Sequence, residues 1–142
     1  MSNFLFFSIS LTLISNIFYH LSQKSVPASA NPVASVVISY LVALIATPAL
    51  FWVLPQKESF FGAFKTLNWS SIAVGLTIIG VDLGYLLVYR AGGKISHTAM
   101  MVTLFVTLLL LPVGLIFFQE KLTLFKSLGI ILGLVALIFL NI

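Results

Sequence analysis

Hydrophobic residues run along the chain in long stretches that short polar segments separate. A helix needs about 20 apolar residues to cross about 30 Å of hydrocarbon. Stretches of about that length lie at 3 to 22, 33 to 54, 69 to 89, 97 to 118 and 124 to 141. The pattern predicts an all-α integral membrane protein, in which residues 1 to 142 form a single transmembrane domain of five transmembrane helices.

One acidic residue, Asp82, lies inside the third stretch. A carboxylate near the middle of a membrane helix costs roughly 2.5 to 3.5 kcal/mol on insertion scales. Asp82 is only about 5 Å along the helix axis from that middle, and its side chain is too short to reach the interface readily. We therefore expect Asp82 to face protein or water rather than lipid.

Helical spacing divides the third helix into two faces. At about 100° per residue, Gly80 and Gly84 point away from Asp82, whereas Tyr85 and Tyr89 share its side. Small residues let helix backbones approach closely in lipid. We expect the glycine face to pack against a neighbour and the Asp82 face to line a cavity.

A polar stripe follows one side of the first helix. Its members fall within about 100° of one another: Ser8, Thr12, Ser15, Asn16, Tyr19 and Gln23. The stripe lines a cavity, or its Ser and Thr side chains bond carbonyls of their own helix and simply pack. Asn16 and Tyr19 are the stronger candidates for lining a cavity, because their polar groups are harder to satisfy within their own helix. Thr12 is a further candidate.

The same hydrophobic run also has features of a secretory signal, because Ala28-Ser29-Ala30 fits a cleavage pattern. No Lys or Arg precedes the run, however, and the run is longer than the usual signal core of about 7 to 15 residues. We expect it to be retained as the first helix.

The other helices carry capping and packing signals. Asn31-Pro32 is suited to starting the second helix, and Gly92-Gly93 to the turn after the third. The fourth helix aligns Thr103 and Thr107, which are candidates for a cavity or for packing. The fifth helix presents a small-residue face for helix packing or dimer contact, formed by Gly129, Gly133 and Ala136.

The composition narrows the class of protein. Charged residues make up 7% of the 142, against about 25% in a soluble domain, and hydrophobic residues make up 61%. The net charge of +4 is spread over short loops and forms no basic cluster, so we expect no nucleic-acid partner. No Ser/His/Asp or Cys/His set and no metal-ligand spacing is present, so we expect neither an enzyme nor a cofactor.

The distribution of positive charge gives little preference for one orientation in the membrane. If the helices alternate, the N-terminal side receives four cations: Lys57, Lys65, Lys121 and Lys126. The other side receives three: Lys24, Arg90 and Lys94. Because the positive-inside bias is nearly absent, the count favours dual topology, although other features can fix one orientation.

Several short motifs lie in the second half of the chain: Gly84-Tyr85-Leu86, Tyr89-Arg90-Ala91-Gly92, Pro112-Val113-Gly114, Phe118-Gln119-Glu120-Lys121-Leu122-Thr123, Gly129 and Gly133. From about residue 69 onward, the chain resembles the drug/metabolite transporter superfamily, at the end of an EamA-type repeat. Five helices match one such repeat. The resemblance implies one half of an inverted-repeat transporter, with the substrate cavity between two five-helix units.

The last three helices are also similar to the small multidrug resistance family. That family has four helices and a membrane-embedded glutamate in the first, where this chain has Thr12, Ser15 and Asn16. If transport is coupled to protons, Asp82 would have to supply the coupling group.

Together, these expectations describe a multi-pass protein of the cell's inner or plasma membrane that transports a small molecule by alternating access. A lone repeat needs a partner, so we expect a homodimer, antiparallel in the first instance, with a parallel dimer or a paralogous partner as alternatives. Asp82 would act as proton carrier or as counter-charge to the substrate. The alternative function is a non-transporting subunit or scaffold, in which Asp82 pairs with a cation of another helix.

Overall fold

The computed structural model describes residues 3–54, 58–119 and 123–140. Six α-helices occupy these ranges: α1 Asn3–Ser25, α2 Pro32–Val53, α3 Phe60–Ala63, α4 Trp69–Arg90, α5 Ile95–Phe117 and α6 Leu124–Leu140. A single 3₁₀ turn, Phe64–Thr66, follows α3. The described part of the chain contains no strand.

Four of these helices, α1, α2, α4 and α5, are long and apolar enough to cross a membrane, at 22 or 23 residues each. The all-α membrane architecture predicted from the hydrophobic pattern is therefore confirmed at that level. Helix α6 has 17 residues and an apolar segment at Ser127–Ala136. A fifth span and an inverted repeat stay predictions.

The predicted helix ends agree with the capping chemistry. The Asn31 side chain accepts a 3.1 Å hydrogen bond from the Ala34 amide, and Pro32 occupies the first turn of α2. Gly92 has a φ of +94°, which is the left-handed backbone that a glycine permits after α4. The first helix continues to Ser25, three residues beyond the predicted end at 22, because the polar residues of its last turn pack on α4.

The chain divides into two compact units, Met1–Ala91 and Gly92–Ile142. In the first unit, α4 packs against both α1 and α2. Side chains near the C-terminal end of α1 contact the C-terminal half of α4, so these two helices run parallel. Helix α4 is thus the central element of this unit, and it carries Asp82.

The second unit is a pair of packed helices, α5 and α6. A Cβ placed on Gly133 would lie 3.5 Å from Cδ2 of Leu104, which is ordinary van der Waals contact. Gly133 therefore lies against α5 within this unit, and a role for the small-residue face in dimer contact stays a prediction. Ala136, on the same face, is partly buried.

The other glycines predicted to pack are open. Beyond its chain neighbours and the backbone of its own helix, a Cβ built on Gly80, Gly84 or Gly129 meets no atom within 4 Å. Within the first unit, the glycine face of α4 therefore packs on neither α1 nor α2 at Gly80 and Gly84. Three residues of the motif that carries the transporter resemblance, Glu120, Lys121 and Leu122, lie outside the described residues.

Candidate functional site

Asp82 is buried in the middle of the first unit, with 7% of its surface exposed. Its carboxylate oxygen Oδ1 accepts a 2.8 Å hydrogen bond from the phenol of Tyr19 on α1. A hydrogen bond to an ionised acceptor is roughly twice as strong as one between neutral groups. The expectation that Asp82 faces protein is therefore met by a specific partner on another helix.

Gln23, one turn beyond Tyr19 on the same side of α1, supports this contact. Its amide nitrogen Nε2 lies 3.3 Å from the Tyr19 hydroxyl and 3.5 Å from the backbone carbonyl of Asp82. One side chain thus donates to both members of the Tyr19–Asp82 pair. Gln23 therefore holds the Tyr19 phenol in position and links α1 to the backbone of α4 at Asp82.

A third helix also reaches the carboxylate. Tyr40 on α2 lies close enough to Asp82 for the two side chains to interact. Its phenolic oxygen is buried and has no hydrogen-bond partner among the described residues. An unsatisfied buried hydroxyl is costly, about 1 to 3 kcal/mol. Asp82 therefore has one phenol bonded to it, from α1, and a second one near it, from α2.

Aromatic rings form a second layer beside this centre. The phenolic oxygen of Tyr89 lies 2.8 Å from Nδ1 of His20, and both side chains are buried. The Tyr85 ring packs edge-on against His20 at 4.7 Å and against Tyr19 at 5.8 Å between ring centroids. Such edge-to-face pairs add about 0.5 to 1.5 kcal/mol beyond their buried area. The layer holds α1 and α4 in one register.

Cations occupy the end of α1 and α4 nearest this layer. Lys24 donates a 3.2 Å hydrogen bond to the Tyr89 carbonyl, and its ammonium lies 5.8 Å from the centre of the Tyr89 ring. Arg90 donates a 3.3 Å hydrogen bond to the Pro27 carbonyl. Both contacts place positive charge at C-terminal helix ends, where the helix dipole favours it.

Asp82 forms no ion pair with any Lys or Arg among the described residues. Arg90 lies roughly 12 Å further along α4, and it bonds the Pro27 carbonyl instead. Among the described residues, the one side-chain hydrogen bond to its carboxylate comes from the neutral phenol of Tyr19, which compensates a negative charge there only in part.

A large open groove of about 800 Å³ runs beside this centre, between α2, α3 and α4. Tyr40 stands at one end of the groove, and Phe60 and Phe64 stand at the other. The remaining lining residues are almost all apolar: Ala43, Leu44, Thr47, Pro48, Leu50, Phe51, Leu54, Gly75 and Ile78. Its volume lies in the range of small-molecule sites, about 300 to 1,000 Å³.

The structure brings together four of the predicted site residues: Asp82, Tyr19, Tyr85 and Tyr89. Two other candidates of the same unit, Thr12 and Asn16, do not reach this centre. Thr12 bonds the Ser8 carbonyl of its own helix at 2.9 Å and is exposed, as is Asn16. The Thr107 hydroxyl bonds the Thr103 carbonyl at 2.7 Å, and both residues belong to the second unit.

Sequence reasoning missed His20, Lys24 and Tyr40, and it named Gln23 only as part of the stripe. His20 and Lys24 are four residues apart and adjoin the Tyr19 and Gln23 stripe, so a second polar row on α1 was detectable. Nothing in the local pattern singled out Tyr40, because its partner lies on another helix.

Within the described residues, no group of three or more His, Cys, Asp or Glu side chains is placed to hold a metal ion. The chemistry of the centre is that of one carboxylate, several phenols and an imidazole. Comparison with known proteins adds no relative: no family model matches the chain, and no curated protein or solved structure matches it.

Proposed function

We propose that this protein is a small-molecule transporter of the cell's inner or plasma membrane, which works by alternating access as a dimer of five-helix units. Asp82 is its substrate-binding or proton-binding group, with Tyr19, Tyr40, Tyr85 and Tyr89 around it. The observation that carries the proposal is a buried carboxylate that has no cationic partner among the described residues and is held by Tyr19 beside a groove of about 800 Å³. Ionisable groups inside membrane segments commonly serve transport.

The groove and the carboxylate together favour one substrate class. Aromatic and aliphatic side chains along the groove suit an apolar body, and Phe51, Phe60 and Phe64 offer rings to it. At the other end, the Tyr40 phenol suits a positively charged head, as does the Asp82 carboxylate near it, which does not itself line the groove. We therefore propose an apolar or aromatic compound that carries an amine or a quaternary cation.

Two features support a dimer. Within the first unit, the glycine face of α4 packs on neither α1 nor α2 at Gly80 and Gly84, so this face suits close approach by a second copy. The near-neutral charge balance between the two sides suits an antiparallel pair. Fusing a reporter to the C-terminus and assaying it on both sides of the membrane tests the orientation: signal on both sides fits an antiparallel homodimer, and signal on one side excludes it.

Uptake of tetraphenylphosphonium by proteoliposomes tests the transport function. We expect wild-type protein to transport this lipophilic cation and Asp82→Asn to reduce transport to the level of empty vesicles, because the substitution removes the only charge of the centre. Ser8→Ala is the matched control, since its hydroxyl bonds only the Phe4 carbonyl of its own helix. Unchanged uptake by Asp82→Asn would remove the proposed role of this residue.

The absence of an ion pair at Asp82 also favours a second candidate function, a non-transporting subunit whose carboxylate pairs with a partner's cation. In that case Asp82→Asn would release a second membrane protein during purification in mild detergent. Self-association without any such partner, together with uptake, supports the transporter instead.

A further inference from the structure

A second cavity, which we call the cationic pocket, lies at the C-terminal ends of α1 and α4. It has a volume of about 200 Å³ and is lined by Gln23, Lys24, Val26, Ala28, Tyr89 and Arg90. It is distinct from the apolar groove, with which it shares no lining residue. A water molecule occupies about 30 Å³ of liquid, so the pocket has room for a polyatomic ion.

The charge of the pocket is entirely positive. Lys24 and Arg90 line it, and no carboxylate does. Asp82, the acidic residue of α4, is roughly 12 Å from Arg90 along the helix. Two cations that line one small cavity repel each other, and an anion between them offsets that repulsion.

Hydrogen-bond donors also exceed acceptors in this pocket. A guanidinium has five N–H donors and no acceptor. Arg90 donates to the Pro27 carbonyl, while its Nε is buried and has no acceptor among the described residues. A group rich in oxygen acceptors would satisfy these donors.

The carbonyl groups at these helix ends do not prevent an anion from binding. C-terminal carbonyls carry partial negative charge. The two carbonyls nearest the cations already accept hydrogen bonds, that of Tyr89 from Lys24 and that of Pro27 from both Arg90 and the Ala30 amide. Their partial charges are thereby offset, and the cations dominate the local field.

We propose that the cationic pocket binds a phosphate monoester group. The pocket lies where α1 and α4, two candidate membrane spans, both end, which is the depth of lipid headgroups. The same chemistry is offered by the headgroup of phosphatidic acid and by free inorganic phosphate. Arg90 provides a planar fork of donors and Lys24 a point charge, the combination that phosphate sites use.

The experiment uses the full chain in nanodiscs of phosphatidylcholine. One arm replaces part of the lipid by phosphatidic acid, and the other adds inorganic phosphate to the buffer. Thermal unfolding and lipid retention in native mass spectrometry are measured. We expect the wild-type protein to unfold at a higher temperature in at least one arm. A response to phosphatidic acid alone identifies a lipid headgroup, and a response to inorganic phosphate identifies a free anion.

Two substitutions test the assignment to this pocket. Arg90→Gln and Lys24→Gln each remove one lining charge, and we expect binding to weaken by roughly tenfold or more in both. Lys94→Gln is the matched control, because Lys94 precedes α5 and does not line the pocket. Each variant is compared with itself in phosphatidylcholine alone, so a general loss of stability does not affect the result.

We expect the Arg90→Lys protein to bind the anion more weakly than the wild type but still to respond to it, because lysine keeps the charge and lacks the Nε–H donor. No response to either anion in the wild-type protein would overturn the proposal. An equal loss in Lys94→Gln and Arg90→Gln would also overturn it, because nonspecific surface attraction would then explain the binding.

Discussion

Nδ1 of His20 lies 2.8 Å from the phenolic oxygen of Tyr89, and this pair joins α1 to α4 beside the Tyr19–Asp82 hydrogen bond. The two contacts start from adjacent residues of α1 and reach residues about two helical turns apart on α4. A slip of either helix by one residue would break both pairs, so the contacts fix the register.

A double-mutant cycle on His20→Phe and Tyr89→Phe measures this connection. We expect the free energy of unfolding to show a coupling of about 1 kcal/mol between the two sites, the usual net value of a hydrogen bond. Reversible unfolding in mixed micelles gives the four values required. Additive effects of the two substitutions would show that the two groups do not stabilise each other.

Removing the phenolic hydroxyl that bonds Asp82 should be more costly. We expect Tyr19→Phe to lower the free energy of unfolding by about 1.5 to 3 kcal/mol, because a hydrogen bond to a charged group is lost. Tyr85→Phe is the matched control, since Tyr85 lies in the same layer and contributes ring contacts only. Equal losses in the two variants would contradict the special role of the Tyr19 hydroxyl.

Filling the apolar groove should reduce binding without unfolding the protein. Ala43 lines the groove, whereas Ala46, three residues along α2, does not. We expect Ala43→Phe to weaken the binding of tetraphenylphosphonium roughly tenfold or more, because the phenylalanine ring fills part of the groove that the ligand would occupy. Ala46→Phe should bind like the wild type. Equilibrium dialysis of the detergent-solubilised protein measures both, and equal affinities would exclude the groove as the site.

Enlarging the glycine face of α4 tests the dimer contact. A Cβ built on Gly84 meets open space, so we expect the Gly84→Leu protomer to fold normally. We expect self-association, measured by energy transfer between labelled copies in vesicles, to weaken because the second copy can no longer approach closely. Gly75→Leu, an equally open glycine on the same helix that lines the groove, should associate normally.

Much of this fold follows from sequence pattern alone. Length and apolarity located the four candidate spans, and Asn31-Pro32 and Gly92 marked helix ends at the correct positions. The cost of a carboxylate in lipid predicted that Asp82 would face protein or water, and helical spacing placed Tyr85 and Tyr89 on the same side of the helix. These are local properties of single helices.

The partners across helices could not be predicted in the same way. One row of side chains on α4 contacts two adjacent rows on α1. The α4 row is Asp82, Tyr85 and Tyr89. The α1 rows are Tyr19 with Gln23, and His20 with Lys24. Which row of α1 faces α4 depends on the rotation of each helix about its axis, and that rotation is fixed only when the helices pack. For the same reason the outward position of Asn16 could not be derived from its stripe.

The depth of Asp82 constrains how two copies could share it. Its Cα lies roughly 4 Å beyond the midpoint of α4, toward Arg90. In a parallel pair the two carboxylates would stand at the same level. In an antiparallel pair the two carboxylates would lie roughly 8 Å apart along the membrane normal. A cation crossing such a pair would bind first to the carboxylate of one protomer and then to that of the other.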